Sequence, residues 1–187
     1  MVGMTSPGVG PRLGRLETVP ALERPDLLAD PVAASLRGWS YADRVGVVEI
    51  DPAIADTAAL SEAYDLPMTT GANCVVVAGR RDGEERVAAC LVRADTRADV
   101  NSLVKRMLDV RKASFLGMDR AVEESAMEYG GITPIGLPPD WRLLVDSRVL
   151  GIDVAVVGSG VRRSKLLLPG ALAADLPGAE VVEGLAV

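Results

Sequence analysis

The chain contains no histidine. That single absence removes Ser-His-Asp triads, Cys-His dyads, histidine general bases and nearly every zinc site, so neither a metal nor a cofactor is expected. Aromatic residues are almost as scarce, with one Phe, two Trp and three Tyr in 187 residues. Base stacking on aromatic platforms is therefore not the expected way of holding nucleic acid. The two cysteines, Cys74 and Cys90, are not a CxxC pair and sit inside apolar runs, which predicts buried, reduced thiols. No run approaches the ~18 apolar residues of a membrane span, and Met1 to Gly8 lacks a charged segment followed by an apolar stretch. A cytoplasmic protein with no membrane partner is expected. A net charge of −6 argues against general adhesion to DNA or RNA, although it leaves room for a local basic face.

What is present is aliphatic. Hydrophobic residues make up 49% of the chain, mostly Ala, Val and Leu, and 187 residues suffice for one self-sufficient core. Residues 1–15, rich in Gly and Pro, read as a flexible tail, and 16–187 as a single domain. Pro20 to Arg37, with Leu22, Leu27, Leu28, Val32 and Leu36 and interrupted by Pro25 and Pro31, predicts one or two short outer helices. Val45–Ile50 reads as a strand, and Asp56 N-caps a helix that Pro67 stops. The runs Cys74–Ala78 and Val87–Val92 around the polar segment Gly79–Glu85 predict a β-hairpin. Two helices follow, Asp99–Leu108 and Arg120–Tyr129, the second ended by Gly130. Arg142–Asp146, Ile152–Val157 and Ala179–Val182 read as strands, the last preceded by the run Lys165–Leu168 and a short helix at Gly170–Leu176. Hairpins with short helices between them indicate an α+β mixed sheet rather than a doubly wound parallel one.

The densest local signal is Gly130-Gly131-Ile132-Thr133-Pro134-Ile135-Gly136-Leu137-Pro138-Pro139, with three glycines and three prolines in ten residues. Such a segment can be neither mid-helix nor central strand. Two roles suit it. It is a rigid connector, or it is a wall that brings backbone N–H and C=O groups close to a ligand.

Other motifs are weaker. Gly158-Ser159-Gly160 lacks the third glycine of a dinucleotide site, and no P-loop sequence occurs. Arg162, Arg163 and Lys165 beside it offer an anion or ribose-phosphate contact, or simply a solvated basic turn. Glu123, Glu124 and Glu128 have the spacing of a solvated helix face rather than of an acid/base pair. Lysine occurs only at 105, 112 and 165.

Asp109-Val110-Arg111-Lys112-Ala113-Ser114, then Glu123-Glu124, then Tyr129-Gly130-Gly131-Ile132-Thr133-Pro134-Ile135-Gly136-Leu137, and finally Gly158-Ser159-Gly160-Val161-Arg162-Arg163-Ser164-Lys165 together resemble the YbaK/aminoacyl-tRNA deacylase family, also called the prolyl-tRNA synthetase editing-domain family. The likeness spans about residues 45 to 183. It implies an α+β fold, a mixed, mostly antiparallel sheet or partial barrel with surrounding helices. It also implies trans-editing hydrolysis of the ester joining a mischarged amino acid to the 3′ end of tRNA, with an aminoacyl-tRNA synthetase as a further partner. In that family the loop matching Gly130, Gly131, Ile132, Thr133 and Pro134 lines the aminoacyl pocket, and a strand lysine accompanies it. Here the matching position is Asn73, which can hydrogen-bond a ribose or amino acid but carries no charge to hold an oxyanion unless another group supplies one. On this reading Asn73, Lys112 and Ser114 stand nearest the reacting group, and Arg111, Arg162, Arg163 and Lys165 contact tRNA. The alternatives are a family-like module that binds an aminoacyl, nucleotide or protein ligand without turnover, and a purely structural domain with no ligand-sized cavity at Gly130.

Overall fold

A computed structural model describes residues 10–187. Residues 1–9 of the expected tail lie outside the described residues. The tail boundary moves, because Arg12–Leu13 (β1) and Leu16–Glu17 (β2) already pair as a small hairpin. Val19–Pro20 (β3) follows, then two 3-10 turns and a helix, Asp30–Arg37 (α1), with Pro31 in its first turn where no N–H is needed. Gly46–Glu49 forms β4, and Thr57–Tyr64 forms α2. Asp56 caps α2 as expected, accepting hydrogen bonds from the N–H groups of Ala58 and Ala59. The helix is closed two residues before Pro67, by Asp65 in the left-handed region.

The hairpin is longer and tighter than its apolar runs suggest. Ala72–Arg81 (β5) and Glu84–Arg93 (β6) pair in register down to Arg81 and Glu84, so the connection is only Asp82-Gly83, both at positive φ. That is the Asp-Gly chemistry of a two-residue turn whose twist matches the strands. The charged residues at 80, 81, 84 and 85 belong to the strands. After a π-helical turn capped by Asp99, Lys105–Leu108 (α3) leads to a strand that periodicity did not reveal, Ala113–Phe115 (β7). Met118–Ser125 (α4) ends at Ala126, which takes φ 55°, rather than running to Gly130. Glu128, Tyr129 and Gly130 are therefore loop. Arg142–Asp146 (β8), Ala155–Gly158 (β9), Ser164–Leu168 (β10) and Ala179–Val182 (β11) complete the strands, with a 3-10 helix at Gly170–Asp175.

Two sheets carry the fold. One has the order β11-β8-β6-β5-β7, parallel at β11-β8 and β8-β6 and antiparallel elsewhere; the other is β3-β4-β10-β9, antiparallel throughout. They meet where Gly71, just ahead of β5, bridges Val156 on β9. The largest apolar cluster fills the space between them, with Leu36, Leu91, Val145, Leu166 and Leu168 buried. A second cluster, around Val104, Leu108 and Leu185, backs the five-stranded sheet. Alternation on β10 sends Leu166 and Leu168 into the first cluster and Leu167 into a third, with Leu16, Ile50 and Leu60. Lys165, one residue from Leu166, shares the face of Leu167.

Candidate functional site

A cavity of about 280 Å³ opens at the seam between the sheets. Its walls come from five places in the chain: the start of α2 (Asp56, Thr57), the entry to β5 (Gly71, Asn73), the loop after α4 (Tyr129, Gly130, Ile132), β9 (Val156, Gly158) and β10 (Lys165). The floor is mixed, with Leu60 and Val156 beside Ser61 and Thr70.

Asn73 faces this space and is held in it. The Thr57 hydroxyl donates to Asn73 Oδ1 at 2.6 Å, which leaves the amide NH2 free to donate into the cavity. Because Asp56 caps the helix on which Thr57 is the first residue, the orientation of Asn73 is set by the start of α2.

The glycine-proline loop is docked as a preformed wall. Gly160 N–H donates to Gly131 C=O at 2.7 Å, and Glu128 N–H donates to Gly160 C=O at 2.8 Å. A Cβ on Gly158 would lie 2.5 Å from the Gly131 carbonyl oxygen and 2.7 Å from that of Ile132. A Cβ on Gly131 would lie 2.9 Å from the Val161 backbone. Gly158-Ser159-Gly160 thus serves as the seat of the loop, the bare backbone on each side being what permits the approach. Among the described residues, the N–H groups of Gly130 and Ile132 donate no hydrogen bond, so both remain available where the loop borders the cavity. Gly131 is buried behind this edge, Thr133 is fully buried with its hydroxyl unpartnered, and Pro134 packs in the core beside Leu91, Ile135 and Val157.

The basic residues separate. Arg162 reaches Tyr129 C=O at 3.1 Å and Pro52 C=O at 3.0 Å, and its guanidinium lies over the Tyr129 ring, so it fastens the cavity rim. Glu128 accepts from Arg162 N–H at 2.6 Å and belongs to the same clasp. Arg163 turns the other way and donates to the Asp26 carbonyl. Lys165 alone enters the cavity, with only 6% of its surface exposed. Burial pulls its ammonium down to about 8, opposed by nearby Asp56 and assisted by Arg162.

Lys112 and Ser114 do not join Asn73. Pairing sets Ser114 against Ala78, five residues along β5 from Asn73 and roughly 17 Å away at the strand rise. Together with Arg111 they line a separate groove with Arg80 and Arg120. The physical reason is β7, which carries this segment along the far half of β5. Cys74 is half-buried, not buried as expected, and lines the cavity, where desolvation, followed by the neighbouring Cys90, pushes its thiol well above the ordinary range. Burial takes Cys90 up to about 12, so neither is a thiolate at neutral pH. Asp56, Thr57 and Tyr129 went unforeseen; the only sequence signal for the first two was the N-cap itself. Lys165 is expected as a tRNA contact; its place inside the cavity is signalled only by a charge at the head of the apolar run Lys165–Leu168.

Residues 51–176 match the model of the aminoacyl-tRNA editing domain. No curated protein matches the chain. Among solved structures, one described as a candidate trans-editing enzyme for prolyl tRNA synthetase superposes with a TM-score of 0.70 at 19% identity, covering 83% of this chain and 94% of that one. The hypothetical protein APE2540 does so with 0.66 at 20% identity, covering 75% and 90%. A scaffold protein from computational epitope grafting gives 0.70 at 18%, covering 83% and 95%. At these identities the likeness is one of fold.

Proposed function

The chain belongs to the aminoacyl-tRNA editing domain family, and from that membership we propose that it is an aminoacyl-tRNA deacylase, hydrolysing in trans the ester of mischarged tRNA in the cytoplasm. The observation that carries the reading is the seam cavity, in which Asn73 and the open N–H groups of Gly130 and Ile132 border one space. The aminoacyl group enters between them. The Asn73 amide, aimed by Thr57, donates to the ribose or the amino acid, and the loop N–H groups hold the aminoacyl end. Water attacks the ester carbonyl carbon, and the bond to the ribose oxygen breaks. Gly131, Thr133 and Pro134 shape the wall from behind rather than touching substrate, while Arg111, Lys112 and Ser114 on the separate groove, with Arg163 outside the cavity, are left for the body of the tRNA. Choice among amino acids follows from cavity volume, because a docked loop excludes a larger side chain by sterics, whereas attraction alone discriminates by only about 1–3 kcal/mol per methylene.

Deacylation assays over a panel of charged tRNAs test this. Hydrolysis well above buffer for a subset of small amino acids is expected; no hydrolysis for any would end the enzyme reading. One observation favours a second reading, a module that binds without turnover: an asparagine stands where the family's strand lysine is matched. Tight binding of an uncleavable aminoacyl-adenosine analogue, unchanged in Asn73→Ala and with no turnover of any tRNA, would establish it.

A further inference from the structure

Lys165 is anomalous as a surface base. The residue is 6% exposed, its ammonium opens to the cavity, and among the described residues no ion pair or hydrogen bond engages it. Desolvating a cation without giving it a close partner is costly, and groups so placed cluster at functional sites. Its direction is set by the sheet: β10 alternation points it away from Leu166 and Leu168, and its neighbour across β9 is Gly158, which has no side chain to cover it. Three N–H donors therefore face the space that Asn73 and the Gly130 edge also border. The charged or titratable groups around it are Asp56 at the head of α2, Arg162 in the preceding turn, Tyr129 on the loop and Cys74 on β5. Asp56 favours the charged form, although its carboxylate is already engaged in capping α2.

Resting on the deacylase reading above, we propose that Lys165 is the catalytic cation of this cavity, its ammonium holding the ester carbonyl oxygen and the oxyanion that water attack creates there. The positive charge that Asn73 cannot provide is delivered from the other sheet. As water oxygen bonds to the carbonyl carbon, negative charge gathers on the oxygen facing Lys165, which stays protonated throughout. Collapse breaks the bond to the ribose oxygen. That oxygen takes one proton of the attacking water by way of solvent, and the other leaves as the free amino acid's carboxyl group ionises. A preorganised donor of this kind in a water-poor site is worth roughly a hundredfold or more in rate.

The test compares wild type, Lys165→Met and Lys165→Arg on the best charged tRNA of the panel, with kcat/KM followed from pH 6.5 to 9.5 and corrected for spontaneous hydrolysis. Wild-type activity should fall as pH rises through the lysine's titration near 8. Lys165→Met should lose at least a hundredfold at pH 7 while still unfolding cooperatively. Lys165→Arg, whose charge does not titrate in this range, should keep measurable activity and lose the alkaline fall; it decides the matter if the methionine variant does not fold. Activity in Lys165→Met within threefold of wild type, or an alkaline fall that persists in Lys165→Arg, overturns the assignment and leaves the deacylase reading standing. A wild type inert toward every charged tRNA overturns both.

Discussion

Burial lowers the Lys165 ammonium from its ordinary 10.5 to about 8, with Asp56 opposing and Arg162 adding to the fall. Between these values the unfolded chain binds a proton that the folded chain does not, so this residue's contribution to stability improves as pH rises from 8 toward 10.5. Below 8 its penalty is fully present. Lys165→Met should therefore stabilise the protein at pH 7 by about 3 kcal/mol, the gain shrinking toward pH 10. At roughly 2–4 °C per kcal/mol for a domain of this size, a series of melts across pH reads it directly. Stability rising where activity falls is the signature of a residue kept for chemistry. Asn73 and Thr57 form the complementary pair. Asn73→Ala should lower kcat/KM by about tenfold or more. Thr57→Val should lower it less, and the double variant should be no worse than Asn73→Ala alone, because the hydroxyl acts only through the amide it orients.

Two elements fix the cavity's edges. The start of α2 does so through Asp56, whose carboxylate caps the helix and sits near Lys165. Asp56→Asn keeps an N-cap of similar quality but removes the charge that holds the ammonium protonated. Any alkaline fall in activity should then begin at lower pH, and the melting temperature at pH 7 should drop with it, by roughly 3–5 °C for each pH unit that the fall moves. The loop after α4 depends on the turn that seats it. Gly158→Ala forces a methyl to within 2.5 Å of the Gly131 carbonyl oxygen, and should cost about 1–3 kcal/mol and displace the wall, seen as a lower melting temperature and a weakened affinity for an aminoacyl-adenosine analogue. The loop itself was legible, because three prolines exclude any other structure there. Its seat was not. Gly158-Ser159-Gly160 has the small residues of an anion site, and only tertiary packing shows that their bareness admits a backbone. The end of α4 was hidden for a related reason: Ala126 adopts a left-handed conformation that glycine would announce, while Met127 turns into the core.

At the scale of the whole molecule, apolar runs separated by turns revealed most strands, since each buries at least one face. Their partners were not readable, because periodicity says which way a residue points and not what it meets. Lys112 and Ser114 illustrate this: they stand near the loop in the family-like sequence order, yet β7 pairs with the far half of β5. The last residues matter in the same non-local way. Leu185 is fully buried, and Ala186 N–H donates to Asp146 Oδ2 at 2.8 Å, Asp146 itself being buried. Deleting residues 184–187 should cost several kcal/mol, combining a lost core side chain with a half-satisfied buried carboxylate, and lower the melting temperature by on the order of 10 °C. The order β3-β4-β10-β9 has a consequence for how the protein is made. Glu49 cannot meet Ser164 until the chain has been made through β10, so β4 must wait, unpaired on that edge, while the β5–β6 hairpin, β7 and β8 are made between them. The hairpin of β5 and β6 can form early from neighbouring residues, but the second sheet, and with it Lys165, closes only once β10 is made. A translating ribosome thus carries, until β10 emerges, a nascent chain with one wall of its cavity and no cation inside it, and the ligand-sized space exists only once the two sheets have met.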